Sequence, residues 1–113
     1  MSATTSTERS PMPHFVRAME LSELSPGTMA GVELEGKQIL LSNLGGEVYA
    51  VDGICTHEES LLKDGFILED RVVCALHLSQ FDLRTGEVFN PPAFEPLKRY
   101  NVKIEEGSIF VEI

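Results

Sequence analysis

Several things are scarce in this sequence. Its 113 residues include two cysteines, three histidines and no tryptophan. Two cysteines are too few for the disulfide framework of a small secreted scaffold. Basic residues are few, 9 Lys and Arg against 18 Asp and Glu, giving a formal charge of −9. That balance argues against a nucleic-acid partner, because phosphate contacts need basic side chains. No apolar run approaches the roughly 20 residues of a membrane helix. The stretch from Met1 to Ser10 is polar, without the apolar centre of a secretion signal or a twin-arginine pair. These absences predict a cytoplasmic protein with no membrane anchor. There is no Gly-rich phosphate loop for a flavin or nicotinamide, no internal repeat and no long helical pattern.

Hydrophobic residues make up 42% of the chain, an ordinary share for one globular core. Residues 1–12 are rich in Ser and Thr and read as a flexible tail, leaving 13–113 as a single domain. Short runs bounded by turn residues then follow in order: His14 to Met19, Met29 to Leu34, Lys37 to Leu44 and Glu47 to Val51. Phe66 to Leu68, Arg71 to Val73 and Leu78 to Leu83 come next. Lys98 to Ile104 and Ser108 to Ile113 close the chain as a last hairpin about Glu105-Glu106-Gly107. Glu35-Gly36 and Gly45-Gly46 are hairpin signals, and Glu20 to Gly27 reads as a loop with a helical turn. Evenly spaced short strands predict an all-β antiparallel sandwich or barrel. Residues 54 to about 90 form an insertion in it.

That insertion holds both cysteines. Cys55-Thr56-His57 and Cys74-Ala75-Leu76-His77 are separated by sixteen residues. The third histidine, His14, has no Cys or His near it and is expected at the surface. Each motif offers one thiolate and one imidazole, a donor set suited to a soft metal site. Zinc sites of this composition usually pair like with like, as C-x₂₋₄-C and H-x₃₋₅-H. A [2Fe–2S] cluster with two Cys on one iron and two His on the other needs the mixed composition seen here. The spacing therefore favours iron and sulfide over a zinc-stabilised, non-redox binding module, which is the alternative from another class.

The stretch from Cys55 to Pro96 resembles a Rieske domain. Beyond the four ligand positions it has Gly65, Val72-Val73, Phe81-Asp82, Thr85-Gly86 and the Pro-rich run Asn90 to Pro96. From about His14 onward the chain is similar to the Rieske-type ferredoxins of bacterial aromatic-ring dioxygenase systems. The resemblance implies a Rieske fold with an inserted cluster-binding subdomain and one [2Fe–2S] cluster held by Cys55, His57, Cys74 and His77. It also implies transient docking, as a monomer, to an NADH-dependent flavin reductase and to a terminal oxygenase. A docked small subunit of a nitrite reductase is the alternative within the family. With His14 as the one spare histidine, an oxygenase fragment is not expected.

Further expectations follow from the resemblance. The two extra cysteines that bridge the loops of high-potential members correspond to Ser60 and Leu76, so that disulfide is absent. Ser79 matches a serine that donates a hydrogen bond toward the cluster, though its hydroxyl is equally suited to local backbone. Phe81 replaces a tyrosine donor. Leu61, Leu62, Leu76, Leu78, Pro91, Pro92 and Phe94 are expected to shield the thiolate iron. Glu58, Glu59, Asp64, Glu69 and Asp70, set against Lys63, form an acidic collar facing either a basic partner or solvent.

The charge on such a cluster is informative. Two ferric ions, two sulfides and two thiolates sum to zero with neutral histidines, whereas four thiolates leave −2. A neutral cluster accepts an electron more readily, placing the potential at roughly −150 to +300 mV. With one sulfur-directed hydroxyl lost, the lower half of that range is expected. Reduction adds negative charge and favours protons on His57 and His77. The potential should therefore fall with rising pH at alkaline values; a voltammetric potential independent of pH contradicts this.

Overall fold

The computed structural model describes residues 12–56, 60–76, 78–90 and 95–113. Among the described residues, three antiparallel sheets make up the fold. The strands are β1 (Phe15–Glu20), β2 (Met29–Leu34), β3 (Lys37–Leu44) and β4 (Glu47–Asp52), then β5 (Phe66–Leu68), β6 (Arg71–Val73), β7 (Gln80–Asp82) and β8 (Val88–Asn90). β9 (Arg99–Tyr100), β10 (Val102–Glu105) and β11 (Ser108–Glu112) complete the order. The sheets run β9-β4-β3-β2, β10-β11-β1 and β5-β6-β7-β8. Short 3₁₀ turns occupy Leu21–Glu23 and Leu62–Asp64.

β3 explains how the sheets share one interior. Its centre, Ile39-Leu40-Leu41, is an unbroken apolar run, the pattern of a strand buried on both faces. Ile39 and Leu41 pack with Leu24, Leu34, Ala50, Tyr100, Ile109 and Val111. Leu40 belongs to the opposite cluster, with Val51, Leu62, Val72, Phe81, Leu83 and Leu97. One strand thus forms the wall between a sandwich of the first two sheets and the core beneath the third.

The turns follow their sequence signals. Leu34 pairs with Lys37, and Glu105 with Ser108. In both hairpins the two turn residues, Glu35-Gly36 and Glu106-Gly107, have positive φ, as a right-twisted two-residue hairpin requires.

Three segments differ from the sequence reading. Lys98 to Ile104 is two strands, because the chain changes sheets at Asn101. Tyr100 pairs with Ala50 in the first sheet and Val102 with Val111 in the second. Asn101 fixes the crossing: its carbonyl accepts the Glu112 N–H at 2.9 Å, and its amide donates to Glu112 Oε1 at 2.9 Å. The Leu78 to Leu83 run narrows to β7, since Leu78 has positive φ and Leu83 lies in a turn. β8 was hidden by the adjoining prolines.

The first and last strands are clasped where the chain begins and ends its sheet. Ile113 N–H donates to the His14 carbonyl at 2.9 Å, and the exposed His14 ring meets Glu35 Oε2 at 2.9 Å. The Glu35 hydrogen bond raises the His14 pKa above its ordinary 6.5. A raised folded value stabilises below the unfolded value and is lost as pH rises through the folded one. The thermal midpoint of Glu35→Gln should therefore trail the parent below pH 6.5 and converge with it at alkaline pH. A pH-independent difference contradicts the clasp.

Candidate metal centre

The two cysteines lie at the heads of two similarly closed loops. In the first, the Cys55 N–H donates to the Ser60 carbonyl at 2.9 Å, and Ile54 bridges Leu61 in antiparallel fashion. In the second, the Cys74 N–H donates to the Ser79 carbonyl at 2.8 Å. Each closure therefore spans five residues from the cysteine, and each encloses one histidine of the sequence, His57 or His77. Those two residues lie outside the described residues, as do Glu58, Glu59, Pro91, Pro92, Phe94 and the tail through Pro11.

Cys55 is 3% exposed and Cys74 fully buried, and both belong to the Leu40–Phe81–Leu97 cluster. Residues nineteen positions apart in sequence are thus brought into one apolar interior. Gly65 makes the meeting possible. A Cβ built there would lie 1.9 Å from the Val73 carbonyl oxygen and 3.4 Å from the Ala75 nitrogen. The end of the first loop is therefore in backbone contact with the strand that delivers Cys74.

A third segment is tied to this pair. Thr56 Oγ1 donates to the Glu95 carbonyl at 2.7 Å. Leu97 N–H donates to the Gly86 carbonyl at 2.7 Å, where a Cβ on Gly86 would lie 2.2 Å from the Leu97 oxygen. The end of the Pro-rich run and the residue after it are thus anchored to both the Cys55 loop and the turn after β7. Neither tie has a signature in the sequence, because the partners of Thr56 are 39 residues away.

The leucine rim divides. Leu62 is fully buried and Leu61 half-buried, but Leu76 is 64% and Leu78 55% exposed. The last two are open to solvent rather than packed over the thiols. Leu78 also has φ +63°, a left-handed conformation that costs a residue with a Cβ about 1–2 kcal/mol. The turn requires it: the Leu78 N–H donates back to the Cys74 carbonyl at 3.0 Å while Ser79 returns to pair with Cys74. Ser79 and Phe81 are fully buried.

The acidic collar is more balanced than the sequence reading held. Asp70 pairs with Arg84 at 2.6 Å. Glu69 lies 3.5 Å from Arg71, whose guanidinium stacks 4.0 Å from the Phe89 ring. Neighbouring Arg71 and more distant Arg84 thus answer two of the acids, which a count of residues 58 to 70 could not reveal.

Two thiols in an apolar shell suit a group whose total charge is small, since an uncompensated buried charge is expensive. A [2Fe–2S] cluster with two thiolates and two neutral imidazoles meets that condition, and an all-thiolate one does not. Comparison with known proteins agrees. The Rieske [2Fe-2S] domain family matches residues 14–101. The chain belongs to the Rieske [2Fe–2S] family.

Among its relatives is the ferredoxin component of the naphthalene 1,2-dioxygenase system of Pseudomonas putida, 34% identical over 99 residues, covering 88% of this chain and 95% of the relative. The biphenyl dioxygenase ferredoxin subunit of Pseudomonas sp. (strain KKS102) is 37% identical over 99 residues, 87% of this chain and 91% of that one. Of solved structures, the ferredoxin of carbazole 1,9a-dioxygenase from Nocardioides aromaticivorans IC177 superposes with a TM-score of 0.82 at 30% identity, covering 88% of this chain and 96% of that one. The all-β Rieske fold and the Rieske-type [2Fe–2S] cofactor are therefore those of a ferredoxin, an electron carrier rather than a catalytic oxygenase. No helix among the described residues is long and apolar enough to cross a membrane.

Gly65→Ala tests the joining of the two loops of this Rieske protein. The added methyl group should lower stability by ~3 kcal/mol, the upper end for overpacking, and reduce iron retention together with the denaturation midpoint. Parental stability with a full complement of iron contradicts the role given to Gly65.

Proposed function

We propose that this Rieske protein carries single electrons to the terminal oxygenase of an aromatic-ring dioxygenase system, on one cluster held by Cys55 and Cys74 at one iron and His57 and His77 at the other. The observation that carries the reading is the meeting of Cys55 and Cys74, at the heads of matching closed loops, in one buried apolar cluster. When bound, the cluster supplies a one-electron redox centre with no open coordination site. The protein buries the thiolate side, which keeps water from it. The electron donor is an NADH-dependent flavin reductase. The chain works as a monomer in the cytoplasm, with residues 13–113 as one domain, the cluster-binding part at about 54–90, and residues 1–12 as a flexible tail.

The relatives support the oxygenase as acceptor, since several are named as ferredoxin components of naphthalene and biphenyl dioxygenase systems. A solved complex of reduced oxygenase with oxidised ferredoxin, from carbazole 1,9a-dioxygenase, contains a neighbour of this chain with a TM-score of 0.83 at 27% identity. The likeness to a nitrite reductase small subunit from Mycobacterium tuberculosis, at 24% identity, concerns the fold alone.

Anaerobic stopped-flow mixing tests the assignment. The reduced protein should pass one electron per chain to a terminal aromatic-ring oxygenase and be re-reduced by a flavin reductase with NADH. Cys74→Ser should lose the visible spectrum and all transfer. Electron delivery to a nitrite reductase catalytic subunit, with none to oxygenases, contradicts the reading.

A further inference from the structure

With 9 basic residues to 18 acids, a lysine or arginine of this chain has acids to choose from. Arg17, Arg71, Arg84 and Lys103 each pair with one. Lys37 and Lys98 form no ion pair among the described residues, yet both border one hollow. Its volume is about 340 Å³, and Lys37, Gln38, Asp52, Ile54, Lys98 and Tyr100 line it. Two unanswered ammoniums thus gather positive charge at one place on an acidic protein.

The hollow is built on paired backbone. It lies at the end of the first sheet where β3 begins, β4 ends and Lys98 leads into β9. The Asp52 N–H donates to the Lys98 carbonyl at 2.9 Å, and the Gly53 N–H to the Gln38 carbonyl at 2.8 Å. The Lys98 ammonium stands 5.1 Å from the Tyr100 ring, which holds it by its aromatic face. Asp52, the one carboxylate of the lining, is engaged by the Tyr100 hydroxyl at 2.5 Å rather than by either lysine. Ile54 is 41% exposed, a large apolar side chain left open beside the two cations.

A few placed charges against an apolar wall are what a small-molecule site presents. An inorganic anion would leave Ile54 uncovered, and an uncharged ring would leave the ammoniums unanswered. The volume is at the lower end for such sites, which limits the occupant to about one ring. We propose that this hollow binds a small organic carboxylate, its charge toward Lys37 and Lys98 and its apolar body against Ile54. Ile54 also bridges Leu61 across the stem of the Cys55 loop, so the occupant bears on the stem that presents Cys55. This site is independent of which protein accepts the electron.

Calorimetric titration of the oxidised holoprotein with benzoate, benzamide and inorganic phosphate at constant ionic strength tests the site, with thermal midpoints read alongside. Benzoate should bind one to one and raise the midpoint, since it binds the folded chain. Benzamide, similar in size but uncharged, and phosphate, charged but without an apolar body, should each bind at least about fivefold more weakly. Lys37→Gln and Lys98→Gln should each weaken benzoate about fivefold, the scale of an exposed ion pair, while keeping the ligand-free EPR spectrum and midpoint of the parent. Lys37→Gln carries the comparison alone if Lys98→Gln disturbs Tyr100. Absence of benzoate binding overturns the proposal, as does binding that the lysine variants leave unchanged. Phosphate equal to benzoate would make the hollow a general anion site, and benzamide equal to benzoate an apolar cleft; either result overturns the organic carboxylate.

Discussion

Two separate chain reversals have to deliver a thiol each into one dry interior, and the rest of the structure depends on that constraint. Backbone hydrogen bonds do most of it. The Cys55 N–H bonds to Ser60 and the Cys74 N–H to Ser79, so each cysteine is fixed by its main chain. Gly65 then allows the end of the first loop to touch the Val73–Ala75 backbone. A side chain there would hold the two loops apart. The buried thiols favour a cluster of low total charge, and mixed Cys and His ligation is how such a cluster is made.

The sandwich beneath supplies rigidity for this arrangement. β3 is buried on both faces, so Leu40 supports the thiol-bearing core while Ile39 and Leu41 hold the base together. Tyr100 adds a polar fastening at the same wall: its hydroxyl donates to Asp52 at 2.5 Å. Burial, with that bond second, holds the phenol well above its usual pKa, so it remains a donor at any ordinary pH. Asp52 ends the strand that leads through Gly53 and Ile54 to Cys55.

Much of this was legible in the sequence. The hairpins at Glu35-Gly36 and Glu106-Gly107, the all-β class and the mixed Cys and His motifs of the Rieske family each have a local signature, because turn chemistry and motif spacing act over a few residues. What escaped reading was long-range or conformational. The sheet change at Asn101 depends on strands far away in sequence, and the Thr56–Glu95 tie joins positions that no periodicity connects. The pairing of Asp70 with Arg84 neutralises part of an acidic run that looked unopposed. Leu78 reads as the start of a strand, and its left-handed backbone emerges only from the closure of the second loop.

We propose that both loops hold one [2Fe–2S] cluster, each giving one thiolate and one imidazole. Iron and acid-labile sulfide analysis combined with nitrogen ENDOR of the dithionite-reduced protein tests it most directly. Two irons and two sulfides per chain are expected, with two distinct histidine nitrogen couplings, one lost on changing His57 and the other on changing His77. Zinc without sulfide, or an iron–sulfur signal with no nitrogen coupling, would contradict it.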